Sequence, residues 1–160
     1  LKPFQPVFID LVAGMYGYLA DATRVYSIGS LPDNLLEAHR HCLEIQKRVV
    51  DGISLGLNGR DLHQSGLEYV KAKGLSEYFM GPGDDQAKFI AHGIGLEIDE
   101  WPVISKGLKV PLTDGNVIAL EPKMVYAKMG ATGIENTWFI KENKAVSMTT
   151  YPDCVHELSF

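Results

Sequence analysis

The chain has 160 residues, 46% of them hydrophobic, and a net charge of -5. That length suits one domain, residues 1–160, with a proper core, while scattered Lys and Arg on an acidic chain exclude a nucleic-acid surface. No run approaches the ~18 apolar residues of a membrane span and no signal peptide opens the chain. Cys42 and Cys154 are too few and too far apart for a disulfide framework, so free thiols in a reducing cytoplasm are expected. Leu1-Lys2-Pro3 leads almost at once into a strand of interior type, which suggests a fragment of a longer protein.

The first element is a hairpin. Strand-like runs from Val7 to Ala13 and from Tyr18 to Tyr26 flank Gly14-Met15-Tyr16-Gly17. If Gly14 faces Gly17, Asp10 falls directly opposite Asp21, and opposed residues share a face with Cβ atoms about 4.5 to 5.5 Å apart. Two carboxylates at that range repel by on the order of 3 kcal/mol at an effective dielectric of 20. Each also sits among Phe8, Ile9, Leu11, Val12, Leu19 and Ala20, where a lone carboxylate is costly. A solvated strand face or a cation site would relieve them.

Ser27 to Leu31 is a turn, and Pro32-Asp33-Asn34 opens a helix ending near Gly52. Leu35, Leu36, Cys42, Leu43, Gln46, Val49, Val50 and Ile53 form its apolar stripe, suited to covering a sheet. His39 and His41, two apart, do not chelate together and are expected to face solvent. A second helix is capped by Asn58 or Asp61, buries Leu62, Leu67 and Val70, and stops at Gly74. His63 in its first turn is expected at the surface. Gly81-Pro82-Gly83-Asp84-Asp85 is a loop.

Next comes FIAHGIGLEIDEWP, residues 89–102. His92 stands in an apolar strand, and Gly93 and Gly95 let the backbone pass close to another element or a ligand. Taken alone, such a histidine is usually a hydrogen-bonded core residue. After the turn at Leu112-Thr113-Asp114-Gly115, NVIALE (Asn116 to Glu121) pairs with GIENTWFI (Gly133 to Ile140), with Glu121 on one arm and Glu135 on the other as buried acids. Ala145 to Thr150 reads as a last strand. Four carboxylates on apolar strands plus one strand histidine form a coherent ligand set, and four negative charges balance two divalent cations. Oxygen-rich coordination with one imidazole suits Mn, Co, Fe or Zn better than a structural zinc site. Paired metals activate water and polarise a carbonyl, so hydrolysis is the natural chemistry.

Asp10 and an Asp eleven positions on in IDLVAGMYGYLADATR, then HGIGLEIDEWP, ALEP and GIENT, together resemble the metallopeptidase family of methionine aminopeptidase, aminopeptidase P and prolidase. DATR and GIENT are most similar to its Xaa-Pro branch. The resemblance implies an α+β, pita-bread fold: a curved antiparallel sheet backed by helices, here without the N-terminal part of the usual domain. It also implies two divalent ions, with Asp10 on one, Asp21 and Glu135 bridging both, and His92 and Glu121 on the other. Glu121 would accept a proton as a metal-bridging water attacks the peptide carbonyl, and the substrate would be a short Xaa-Pro peptide losing its N-terminal residue.

Three positions depart from the family pattern. Asp99, seven residues after His92, stands where a histidine commonly contacts the substrate carbonyl, and a carboxylate there would repel the developing oxyanion. Lys88 replaces a frequent histidine, and Gly133 a frequent arginine. The alternative these departures sustain is a pita-bread module that binds peptide or protein without cleaving it. Uncovered sheet edges and apolar faces point to a partner chain, as in a homodimer.

Overall fold

The computed structural model describes residues 1–159, all with their side chains except Asp85. Its first two strands, β1 (Val7–Met15) and β2 (Tyr18–Ile28), pair antiparallel. The connection is shorter than the glycine spacing predicts. Only Tyr16 (φ 52°) and Gly17 (φ 87°) take the left-handed conformation, as two-residue hairpin turns of the primed type require, so Met15 pairs with Tyr18 and Gly14 remains in the strand opposite Leu19. The register is therefore displaced by two residues from the expected one: Asp10 faces Thr23, and Asp21 faces Val12. Because side chains alternate with a period of two, this slip keeps both aspartates on one face, now as diagonal neighbours.

Burial along the hairpin is also one-sided. Asp21 is buried, but β1 from Ile9 to Met15 is exposed, Asp10 included. The apolar surroundings expected for Asp10 are present in sequence, yet beyond Phe8, which packs against Val25, Leu31 and Leu35, its strand is solvent-facing.

Helix α1 (Asp33–Ser54) and helix α2 (Gly59–Ala72) pack on the sheets. The buried face of α1 is Leu35, Ala38, His39, Cys42, Ile45, Gln46, Val49, Gly52 and Ile53, with Leu36, Leu43 and Val50 on its half-buried flanks. His39 is thus interior rather than solvent-facing. Its Nε2 lies 2.6 Å from the Asp153 carbonyl and its Nδ1 3.3 Å from Thr132 Oγ1, and burial lowers its pKa. His41 is half-buried against the Tyr69 hydroxyl at 2.7 Å. The Asn58 side chain caps α2 by accepting from the Arg60 and Asp61 amides, satisfying donors with no intrahelical partner. Gly59 sits so close to the Val103 carbonyl that a Cβ would lie 3.0 Å from it. His63 is buried instead of lying at the surface, beside Phe79, Ser105 and Lys106.

The remaining strands are β3 (Phe89–Gly93), β4 (Glu100–Ser105), β5 (Val117–Leu120), β6 (Lys123–Tyr126), β7 (Gly130–Gly133), β8 (Asn136–Lys141), β9 (Lys144–Ser147) and β10 (His156–Leu158). One sheet has the order β4-β3-β5-β8-β9, β6 pairs with β7, and β10 adds to β2 in parallel. The pairing of NVIALE with the returning segment holds, Leu120 facing Asn136. The return is not one strand, however. Pro122 cannot donate to the ladder, and the chain leaves the main sheet there to make the β6–β7 hairpin before rejoining it at Asn136. The last predicted strand is likewise shorter, ending at Ser147.

Glu135 joins the two parts of the molecule. It exchanges backbone bonds with Thr23, at 3.3 and 3.4 Å, and Thr137 Oγ1 bonds both the amide (2.9 Å) and the carbonyl (2.8 Å) of Asp21. Behind this seam lies the main core, where Ile45, Val49 and Leu62 of the helices meet Ile90, Ile104, Ile118, Leu120 and Ile134.

Candidate metal centre

Each predicted ligand stands where two elements meet. Asp21 is on β2, His92 near the end of β3, Glu121 just after β5, and Glu135 at the junction of β7 and β8. Asp21, His92 and Glu135 are 5%, 7% and 3% exposed, and one ligand atom from each lies within 4.8 Å of the other two. Nε2 of His92 is 3.8 Å from Oε1 of Glu121 and 3.9 Å from Oε1 of Glu135. Asp10 stands at the exposed rim, where its charge bears on both Asp21 and Glu135.

The acids strain against one another. Burial, then the adjacent Asp10 charge, lifts the Asp21 carboxyl to about 6. Glu135 is pushed to about 8 by burial and by the charges of Glu121, Asp21 and Asp10, against the opposing hydrogen bond from Thr23. That bond runs from Thr23 Oγ1 to Glu135 Oε2 at 2.7 Å. Asp21 Oδ1 is buried without any hydrogen-bond donor, a state that costs about 1–3 kcal/mol or more when the group is charged.

A divalent cation fits this donor set. The atoms are carboxylate oxygens and one imidazole nitrogen, suited to first-row ions, and a cation would satisfy Asp21 Oδ1 and relieve the crowded charge. His92 Nδ1 lies 2.9 Å from the Gly93 carbonyl, which accepts only from a protonated nitrogen. The bare lone pair then falls on Nε2, the nitrogen facing the acids.

Asp99 takes a different position from these. Its carboxylate, 73% exposed, lies 3.4 Å from Nδ1 of His92, on the side of the ring turned away from Glu121 and Glu135. There it lines a cavity of about 270 Å³ with Phe89, Trp101 and Val103. Lys88 lines a separate cavity with His63 and Lys106, sharing no residue with the cluster. Gly133 is pressed against β6: a Cβ on it would lie 2.7 Å from the Pro122 carbonyl, so no side chain fits there.

Sequence reasoning missed the groups that support the ligands. Arg24 is buried and donates to the carbonyls of Thr23 and Glu135, both at 2.8 Å, and to Asn136 Oδ1 and the Tyr151 carbonyl, while pairing with Asp153 at 3.1 Å. It clamps the seam that carries Glu135. Strand alternation could have placed Thr23 beside Asp21, since residues two apart share a face. Nothing local announces that Arg24 is interior, because apart from the neighbouring Thr23 carbonyl its partners lie more than 100 positions away. Lys123 was also passed over, and its ammonium lies 2.5 Å from Oε2 of Glu121.

Comparison with known proteins bears on this arrangement. The family described as metallopeptidase family M24 matches residues 1–142. The Xaa-Pro dipeptidase of Pyrococcus furiosus is 36% identical over 143 residues, 89% of this chain and 39% of that protein. The X-Pro aminopeptidase of Thermotoga maritima superposes with a TM-score of 0.89 at 31% identity, over 99% of this chain and 43% of that one. For the prolidase of Pyrococcus furiosus the TM-score is 0.83 and the identity 33%, over 95% and 43% of the two chains. The chain therefore spans about two fifths of the length of these relatives. Helices outside antiparallel sheets, with this likeness, make its fold part of a pita-bread domain. The chain belongs to metallopeptidase family M24.

Proposed function

We propose that the whole protein is a divalent-metal-dependent exopeptidase that removes the N-terminal residue of short peptides, with proline preferred in second position. The observation that carries this is the convergence of Asp21, His92 and Glu135 on one point, with Asp21 Oδ1 buried and unpartnered there. The names of the relatives, Xaa-Pro dipeptidase, X-Pro aminopeptidase and prolidase, support the substrate class. In this reading Asp10, Asp21, His92, Glu121 and Glu135 would hold two divalent ions (Mn, Co, Fe or Zn). When bound, such ions supply water activation and carbonyl polarisation.

The chain's own residues do the rest. Glu121 Oε1 faces the imidazole at 3.8 Å and accepts the proton released as the peptide carbonyl is attacked. The Gly93 carbonyl keeps His92 in the tautomer that offers Nε2. Asp99 and Trp101 line the cavity beside His92, where a peptide would rest. The exposed apolar side chains Ile9, Leu11, Met15 and Tyr18 support a covering chain, which we assign to a second copy in a cytoplasmic homodimer. Among the described residues no helix is long and apolar enough to cross a membrane.

The decisive experiment strips the full-length protein with chelator, restores Mn or Co, and follows hydrolysis of Xaa-Pro dipeptides. Metal-dependent cleavage is expected, falling by about 10²–10⁴ in Glu121→Gln. Peptide binding without cleavage under any metal would identify a binding module instead.

A further inference from the structure

The cluster is crowded with acids, yet one cation already reaches it. Lys123 opens β6 two residues after Glu121, with Pro122 between them. Its ammonium lies 2.5 Å from Glu121 Oε2, in a pair whose side chains are 30% and 11% exposed. Among the described residues it is the one Lys or Arg in an ion pair with any of the four acids of the centre. Across the β6–β7 ladder it faces Gly133, where a Cβ would come within 2.8 Å of Lys123 Cβ. The facing strand thus leaves the lysine stem uncrowded and offers no side chain of its own. Glu121 meanwhile stays outside the tight group of Asp21, His92 and Glu135.

A charge-assisted hydrogen bond fixes one carboxylate oxygen and leaves the other free. We propose that Lys123 is a positioning residue of the centre: it holds Oε2 of Glu121, aims Oε1 at His92, and takes up one of the negative charges that would otherwise attract a divalent ion. The inference rests on the metal-centre reading above and deepens it. Its consequence is that Lys123 weakens metal uptake while keeping Glu121 in place for proton transfer, since a unit positive charge a few ångströms from a divalent ion opposes it strongly.

The test is calorimetric titration of the chelator-stripped full-length protein with Mn²⁺, comparing wild type, Lys123→Gln and Lys123→Arg, each checked by circular dichroism. The glutamine variant is expected to bind its weakest Mn²⁺ about tenfold or more tightly than wild type, and the arginine variant to stay within about threefold. Lys123→Met makes the same comparison should the glutamine variant not fold. Unchanged or weaker Mn²⁺ binding on loss of the charge would overturn the role given to Lys123 while leaving the centre intact. A wild type that takes up no Mn²⁺ would sink the centre itself, and the lysine's role with it.

Discussion

The two walls that present acids to the centre hold them in opposite ways. On the β2–β8 side, Asp21 and Glu135 are buried, their backbones locked by Thr23, Thr137 and Arg24. On β1, Asp10 stands exposed, contributing charge from the solvent-facing stretch Ile9 to Met15. The same residue type therefore does two jobs. A buried carboxylate with fixed neighbours dictates geometry, whereas an exposed one adds mainly a screened attraction.

Breaking each wall in turn should separate these jobs. Glu135→Gln is expected to weaken Mn²⁺ binding by more than the ~10- to 100-fold that follows loss of a supporting residue, whereas Asp10→Asn should cost about tenfold or less; equal losses in calorimetry would erase the distinction. The second consequence concerns pH. Asp21 and Glu135 have folded-state values of about 6 and about 8, above the ~4 of free carboxyls, so the metal-free folded state holds protons that the unfolded chain has already released. Its stability should then fall as pH rises from about 4 to 8, by up to about 1.4 kcal/mol per pH unit for each proton involved. Thermal melts of metal-free wild type and Glu135→Gln across that range check this: the slope should flatten in the variant, and also when Mn²⁺ is added. The smallest effect belongs to the rim of the neighbouring cavity. Replacing the exposed carboxylate by Asp99→His should raise turnover of an Xaa-Pro dipeptide by about tenfold, about 1.4 kcal/mol of barrier, and an unchanged kcat would show that this position does not meet the reacting carbonyl.

Much of this was legible from residue order. Two helices, the first hairpin and the β5–β8 pairing follow from periodicity and turn residues, and acids placed singly in apolar strands mark Asp21, Glu121 and Glu135. The failures have distinct physical origins. The hairpin register turned on whether Tyr16 would accept a positive φ, which side-chain type alone disfavours. His39 and His63 look like surface residues in the sequence because what lies against them, the Asp153 carbonyl for His39 and the cavity lined by Phe79, Ser105 and Lys106 for His63, arrives from distant sequence. The β6–β7 hairpin was hidden inside what looked like one connection, although Pro122 at its start and Gly130 at its turn were visible signals. The parallel strand β10 carries too short a pattern to be seen.

The seam between Thr23 and Glu135 has a mechanical consequence. Because a ligand residue is itself one of the stitches between hairpin and main sheet, an ion seated there would act as a rivet through both layers. Peeling the hairpin away would then loosen the ion, and gripping the ion would resist the peel. Amide hydrogen exchange along β2 should accordingly slow when metal is added, at residues beyond Asp21 that do not touch it as well as at Asp21 itself.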